Sequence, residues 1–137
     1  MTLYVDSSAL YAALDRSDHG HERMTRALGG GEALVASDHV LVEAWHLTRI
    51  RLGRYVADRL WESARDGAFE IEVVSSGDLD AAWAIRIAFP DQDFSIVDLS
   101  SFAVMERLGL HRVATLGDDF AVYRFGARRD RAFELVR

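Results

Sequence analysis

Four places in the sequence put a carboxylate inside an apolar pattern or at its end. In MTLYVDSSAL, Asp6 separates Leu3, Tyr4 and Val5, which read as a buried strand, from Ala9, Leu10, Ala12 and Leu14, the core face of a helix. In SDHVLVEAWHLTRIRLG, a period of 3.6 draws Val40, Leu47 and Ile50 into one stripe and sets Glu43 inside it, so this acid points inward. In PDQDFSIVDLSSFAVMERLG, Asp98 shares a helix face with Phe102 and Met105. After the strand RVATL, the turn GDDF carries Asp118 and Asp119. Singly, each has an ordinary structural account. Asp6 could cap a helix, although Ser7 and Ser8 cap equally well. Glu43 could pair with Arg49 or Arg51, although neither is three or four residues away. Asp98 could favour the dipole of a helix capped by Ser95, and Asp118 with Asp119 could simply form a turn. Together they would gather at one end of a fold, and like charges about 5 Å apart repel by roughly 3 kcal/mol per pair at an effective dielectric of 20. Such a cluster calls for a cation. Oxygen donors without thiolate or imidazole select Mg2+, with Mn2+ as the alternative.

The elements that must bring these acids together alternate along the chain. Strands are expected near 2–5, 33–36, 69–74 and 112–116, with a weaker final pair near 121–125 and 132–136. Helices are expected near 7–14, 18–28, 38–52, 54–66, 78–89 and 95–108, stopped by glycines at 29–31, 53, 67 and 109. This alternation predicts an α/β three-layer sandwich, a mainly parallel central sheet flanked by helices. In such folds ligands bind outside the carboxyl ends of the strands, which is where Asp6 and the 118–119 turn fall.

Composition narrows the chemistry. With 137 residues, half of them hydrophobic, and one proline, residues 1–137 are expected to form a single domain. No run is long enough to span a membrane and no basic-then-apolar signal opens the chain, so the expected location is cytoplasmic, with no membrane partner. The absence of cysteine excludes a disulfide framework, a thiolate zinc site and a cysteine nucleophile. All 16 basic residues are arginine, which removes the lysine of a Walker loop and of Schiff-base enzymes. Arginine's planar fork suits phosphate, while a net charge of −6 argues against unspecific coating of DNA. His19 with His21, and His39 with His46, lack an obvious third ligand for a transition metal. Trp45, Leu47, Trp61 and Phe69 exceed what one small core requires, which points to an exposed groove.

These motifs, in this order and at these intervals, resemble those of PIN-domain ribonucleases, and specifically the VapC-type toxins of bacterial toxin–antitoxin pairs. YVDSSAL matches the opening D-[ST]-S, Glu43 the helix acid, FSIVD the S-x-x-D, and the segment from Thr115 to Phe120 the closing turn. The resemblance implies that Asp6, Glu43 and Asp98 are the acids of a metal centre, with Ser8, Ser95 and Thr115 as supporting hydroxyls. The family's last turn usually reads T-x-D, and Gly117 stands at that aspartate position. Asp118 could serve instead, Asp119 could, or three acids could suffice. Asp118 is favoured as the fourth acid and metal ligand, with Asp119 supporting, because glycine before it lets the backbone bend. The resemblance further implies Mg2+-dependent hydrolysis of RNA phosphodiesters to a 5′-phosphate and a 3′-hydroxyl, a homodimer, and a small antitoxin whose C-terminal segment covers the site. Arg86, Arg124, Arg128, Arg129 and Arg131 are candidates to hold RNA phosphates. A catalytically weakened, PIN-like binding module is the alternative. A receiver or DxD phosphatase fits poorly, because the sequence has Ser8 and no lysine.

Overall fold

The computed structural model describes residues 1–137, and its elements follow in the order β1 (Thr2–Val5), α1 (Ser7–Leu14), α2 (His21–Leu28), β2 (Ala33–Ser37), α3 (Asp38–Leu52), α4 (Arg54–Arg65), β3 (Glu70–Glu72), α5 (Ser76–Ala88), α6 (Ile96–Leu108), β4 (Arg112–Ala114), α7 (Asp119–Val122), β5 (Arg124–Phe125), β6 (Arg131–Ala132) and β7 (Glu134–Val136). Five strands form one sheet in the order β3-β2-β1-β4-β7, and every neighbouring pair is parallel. β1 is central, pairing Tyr4 with Val35 on one side and with Val113 on the other. Leu3, Tyr4 and Val5 are fully buried, so both faces of β1 are covered, as a helix-flanked parallel sheet requires. The carboxyl ends of β1 and β4 therefore lie side by side, with the Asp6 amide donating to the Ala114 carbonyl at 3.0 Å.

Several boundaries differ from the sequence expectation, three of them through local polar bonds. The helix expected from residue 18 starts at His21, because Asp15 and Asp18 accept bonds from the Ser17 and Gly20 amides and hold turns there. β3 stops at Glu72: the Val74 amide donates to Asp38 Oδ1 rather than to a strand, and Ser75 with Asp78 makes a capping box for α5. α5 in turn begins two residues early. The segment expected as a strand from 121 instead contains α7, which buries Phe120 between Phe102 and Phe133. Of the expected final strand, Arg131–Ala132 pairs with β5 in a separate antiparallel ribbon, and Glu134–Val136 joins the main sheet.

An aromatic cluster fixes α7 against α6. Phe102 stacks on Tyr123 at 4.4 Å and meets Phe94 and Phe120 edge-on, tying the segment that follows Asp119 to the helix that carries Asp98. At the other end of α6, Arg107 donates to Asp78 (2.8 and 2.9 Å) and to Glu72 (2.8 Å), joining β3, α5 and α6. These bonds from Arg107 hold the buried Asp78 carboxyl down to about 2. Arg107→Met is expected to lower unfolding free energy by about 1–3 kcal/mol at neutral pH, the usual cost of losing hydrogen bonds to a charged group. A depressed folded-state value stabilises above the unfolded value of 3.8 and is lost as pH falls toward 2. Urea unfolding at pH 7 and pH 2 should therefore show the gap between wild type and variant narrowing in acid.

Candidate metal centre

Asp6 ends β1 and precedes α1 in extended conformation, yet its side chain makes no capping bond to that helix. Its Oδ2 instead accepts from Ser8 Oγ (2.9 Å) and Thr115 Oγ1 (2.8 Å). Both hydroxyls are locked: the Leu116 amide donates to Ser8 Oγ, and the Gly117 amide donates to Thr115 Oγ1, each at 3.0 Å. The strand-end acid is thus clamped from the neighbouring strand's exit, and it is 6% exposed.

Glu43 reaches the same place from α3. The buried line of this helix runs through Val40, Ala44 and Thr48, while Ile50, expected inside, is exposed. Glu43 lies on the flank of that line and accepts a short hydrogen bond at Oε1 from Ser7. Ser7 was readable only as a helix-cap alternative, and its position as the first serine of D-S-S was the available signal.

Asp98 comes from the first turn of α6. Ser95 caps this helix by accepting from the Asp98 amide at 3.1 Å, so its hydroxyl serves the helix rather than another acid. Burial pushes the Asp98 carboxyl up to about 8, reinforced by the charge of Asp6, by Asp119 close enough to share a proton, and by Glu43. Asp98 therefore lies within electrostatic reach of three other acids, from the β1–α1 junction, α3 and α7.

The closing turn departs from the expectation for Asp118. Its side chain is 87% exposed and accepts from Arg137 at 3.1 Å, whereas Asp119 opens α7 and turns to Asp98. Gly117 does not adopt a positive φ and donates its amide to Thr115, so the bend does not depend on glycine. No three carboxylates or imidazoles are closed into a ready ligand cage. The oxygens of Asp6 and Glu43 face hydroxyls, and Asp98 faces Asp119. A hard divalent cation nonetheless suits this set: every donor is oxygen, and the proton retained on Asp98 balances charge that a cation would balance better.

Around this centre, the arginines divide. Arg124 donates to the carbonyls of Ala121, Val122 and Tyr123; Arg129 bonds the Tyr123 hydroxyl and lies over Phe89; Arg131 lies over Phe125. Arg86 and Arg128 are exposed, Arg86 beside Trp83 and Ile96 in a cleft near the start of α6. His21 contacts the Ala12 carbonyl at 2.8 Å, His19 is on the surface, and His39 and His46 border the groove beside Glu43. Phe69 belongs to the core, while Trp45 and Trp61 line a cleft with Val42, His46 and Asp58.

Comparison with known proteins follows the same lines. The family model described as PIN domain matches residues 3–126. The 23S rRNA-specific endonuclease VapC20 of Mycobacterium tuberculosis is 26% identical over 125 residues, covering 90% of this chain and 95% of the relative. Ribonuclease VapC26 of the same organism is 28% identical over 123 residues, covering 83% of this chain and 85% of the relative. The crystal structure of VapC20, described as a Sarcin-Ricin loop cleaving toxin, superposes with a TM-score of 0.83 at 26% identity over 88% of this chain and 93% of that one. A chain of a toxin–antitoxin complex from Klebsiella pneumoniae shares the fold, with a TM-score of 0.67 at 16% identity over 87% of this chain and 90% of that one.

Proposed function

The chain belongs to the PIN domain family, and from that premise we propose that it is a Mg2+-dependent endoribonuclease, the toxin of a toxin–antitoxin pair. The observation that carries this reading is the Asp98 carboxyl, held among Asp6, Asp119 and Glu43 at the carboxyl end of a parallel sheet. Likeness to VapC20 and VapC26 supports RNA as substrate, and likeness to VapC20, described as a toxin, supports the toxin role.

Asp6, Asp98 and Asp119 would hold the cation, with Asp119 taking the place first given to Asp118. When bound, Mg2+ or Mn2+ supplies charge stabilisation at the scissile phosphate and acidifies the attacking water. Ser8 and Thr115 fix Oδ2 of Asp6 and leave Oδ1 without a side-chain hydrogen bond, so that Oδ1 would be the oxygen offered to the cation. Glu43, steadied at Oε1 by Ser7, offers Oε2 to accept the water's proton. Arg86 and Arg128, exposed and free of internal partners, would be the arginines available to pair with RNA phosphates; Arg124 and Arg129 are committed to internal bonds.

The remaining readings share this basis. Residues 1–137 act as one domain in the cytoplasm, and no helix is long and apolar enough to cross a membrane. Val42, Trp61, Trp83 and Ile87 expose apolar surface that a second copy and a small antitoxin would cover. The test is cleavage of an RNA panel that includes large-subunit ribosomal RNA, the target named for VapC20, with Mg2+, Mn2+ or a chelator. RNA bound but uncut with either cation would make the chain a binding module instead. Asp6→Asn is expected to weaken Mn2+ binding by about 100-fold in calorimetry. Equal heats from variant and wild type would remove the metal-site claim.

A further inference from the structure

Below the carboxylates, the segments that carry Asp6, Glu43 and Asp98 are joined by one buried polar knot. Tyr4 lies on β1 two residues before Asp6 and is fully buried. Its hydroxyl donates to Ser101 Oγ on α6 at 2.8 Å. Ser101 follows Asp98 by three residues, so it lies one helical turn, about 4.5 Å, deeper on the same face. On its other side the Tyr4 hydroxyl faces Ser37, the residue that caps α3 by accepting from the Val40 amide at 3.1 Å. Ser37 and Ser101 are also fully buried. The Tyr4–Ser101 bond is the single side-chain hydrogen bond between β1 and α6.

A phenylalanine would fill the same space without burying a hydroxyl, which costs free energy unless paired. Packing alone therefore does not call for tyrosine at this position. We infer that Tyr4 is a positioning residue of the metal centre, setting the spacing between Asp6 and Asp98, and the seat of the helix carrying Glu43, through Ser101 and Ser37. The inference rests on the nuclease reading above for its catalytic consequence. Ser8 and Thr115 orient the Asp6 side chain from the β4 side; Tyr4 governs the separation of β1 from α6, which those clamps do not touch.

The test compares wild type, Tyr4→Phe, Ser101→Ala and the double variant by Mn2+ calorimetry, thermal melting and RNA cleavage. Each single variant leaves one buried partner unpaired or absent and should melt lower, while the double variant removes both and should regain most of the loss. Mn2+ affinity should fall about 10-fold in Tyr4→Phe and stay reduced in the double variant, with kcat down about 10-fold at unchanged KM. A purely structural role predicts instead that affinity recovers together with the melting temperature. That recovery, or wild-type affinity in every variant, overturns the proposal. A wild type that binds Mn2+ and cuts no RNA refutes the nuclease reading while calorimetry still decides on Tyr4. A wild type that binds no Mn2+ overturns both.

Discussion

Asparagine at position 98 is expected to cut RNA cleavage about 10³-fold and, in protein stripped of divalent cations, to raise stability at pH 8. The two effects have one origin. Burial, then the charges of Asp6, Asp119 and Glu43, favour the protonated form of Asp98. Below the unfolded value of 3.8 both states carry the proton and the group costs nothing. As pH rises from there toward about 8, the unfolded chain ionises while the folded one retains its proton, and wild-type stability falls. Asparagine does not titrate, so its advantage should open across that window, reaching several kcal/mol at about 1.4 kcal/mol per pKa unit. Urea unfolding at pH 4 and pH 8 in chelator, paired with cleavage on the same preparations, measures both. Were Asp98 merely favouring the helix dipole, the variant would lose about 0.5–1 kcal/mol and keep its activity.

Substitutions in the closing turn should separate two adjacent aspartates. Asp119→Ala is expected to weaken Mn2+ binding and cleavage by about 100-fold, because Asp119 is the group that stands against Asp98. Asp118→Ala should change either by less than about 3-fold, since it loses an exposed contact with Arg137, and such pairs contribute little. Calorimetry on the two variants gives the order directly. A larger loss in Asp118→Ala would restore the assignment drawn from the sequence, and no loss in either would leave three acids sufficient. Gly117→Asp is sterically open, with Thr115 Oγ1 at ordinary contact distance from an added Cβ, so it can then test whether a fourth carboxylate at that position strengthens binding.

The contrast between these residues marks where the sequence was readable. Strand–helix alternation and the glycine stops located the helix-flanked parallel sheet and its first four strands, though not the split of the C-terminal strands between sheet and ribbon, because hydrophobic period and backbone punctuation are local signals. Asp6, Glu43 and Asp98 were readable as anomalies, acids set against apolar patterns. Asp118 and Asp119 were not separable, because a turn sequence does not reveal that burial of Phe120 winds the next residues into a short helix and aims Asp119 inward. Ile50 was assigned inward since the stripe through Leu47 fits the period nearly as well as the true line through Ala44 and Thr48. For the arginines, the sequence gives charge but not whether a guanidinium is already occupied by carbonyls, as at Arg124, or by a phenol, as at Arg129.

The central place of β1 has a kinetic consequence. Asp6 meets Thr115 across 109 positions of sequence, and β1 must find β4 after nearly the whole intervening chain has been ordered or looped out. Non-local parallel pairing of this kind forms late and slowly, since the entropy of closing so long a loop precedes any return in contacts. A partly folded chain that already has its helices but lacks the β1–β4 pair would hold the acids apart. For the endoribonuclease proposed above, this order of events would keep nascent and misfolded copies inert and confine activity to the finished native state.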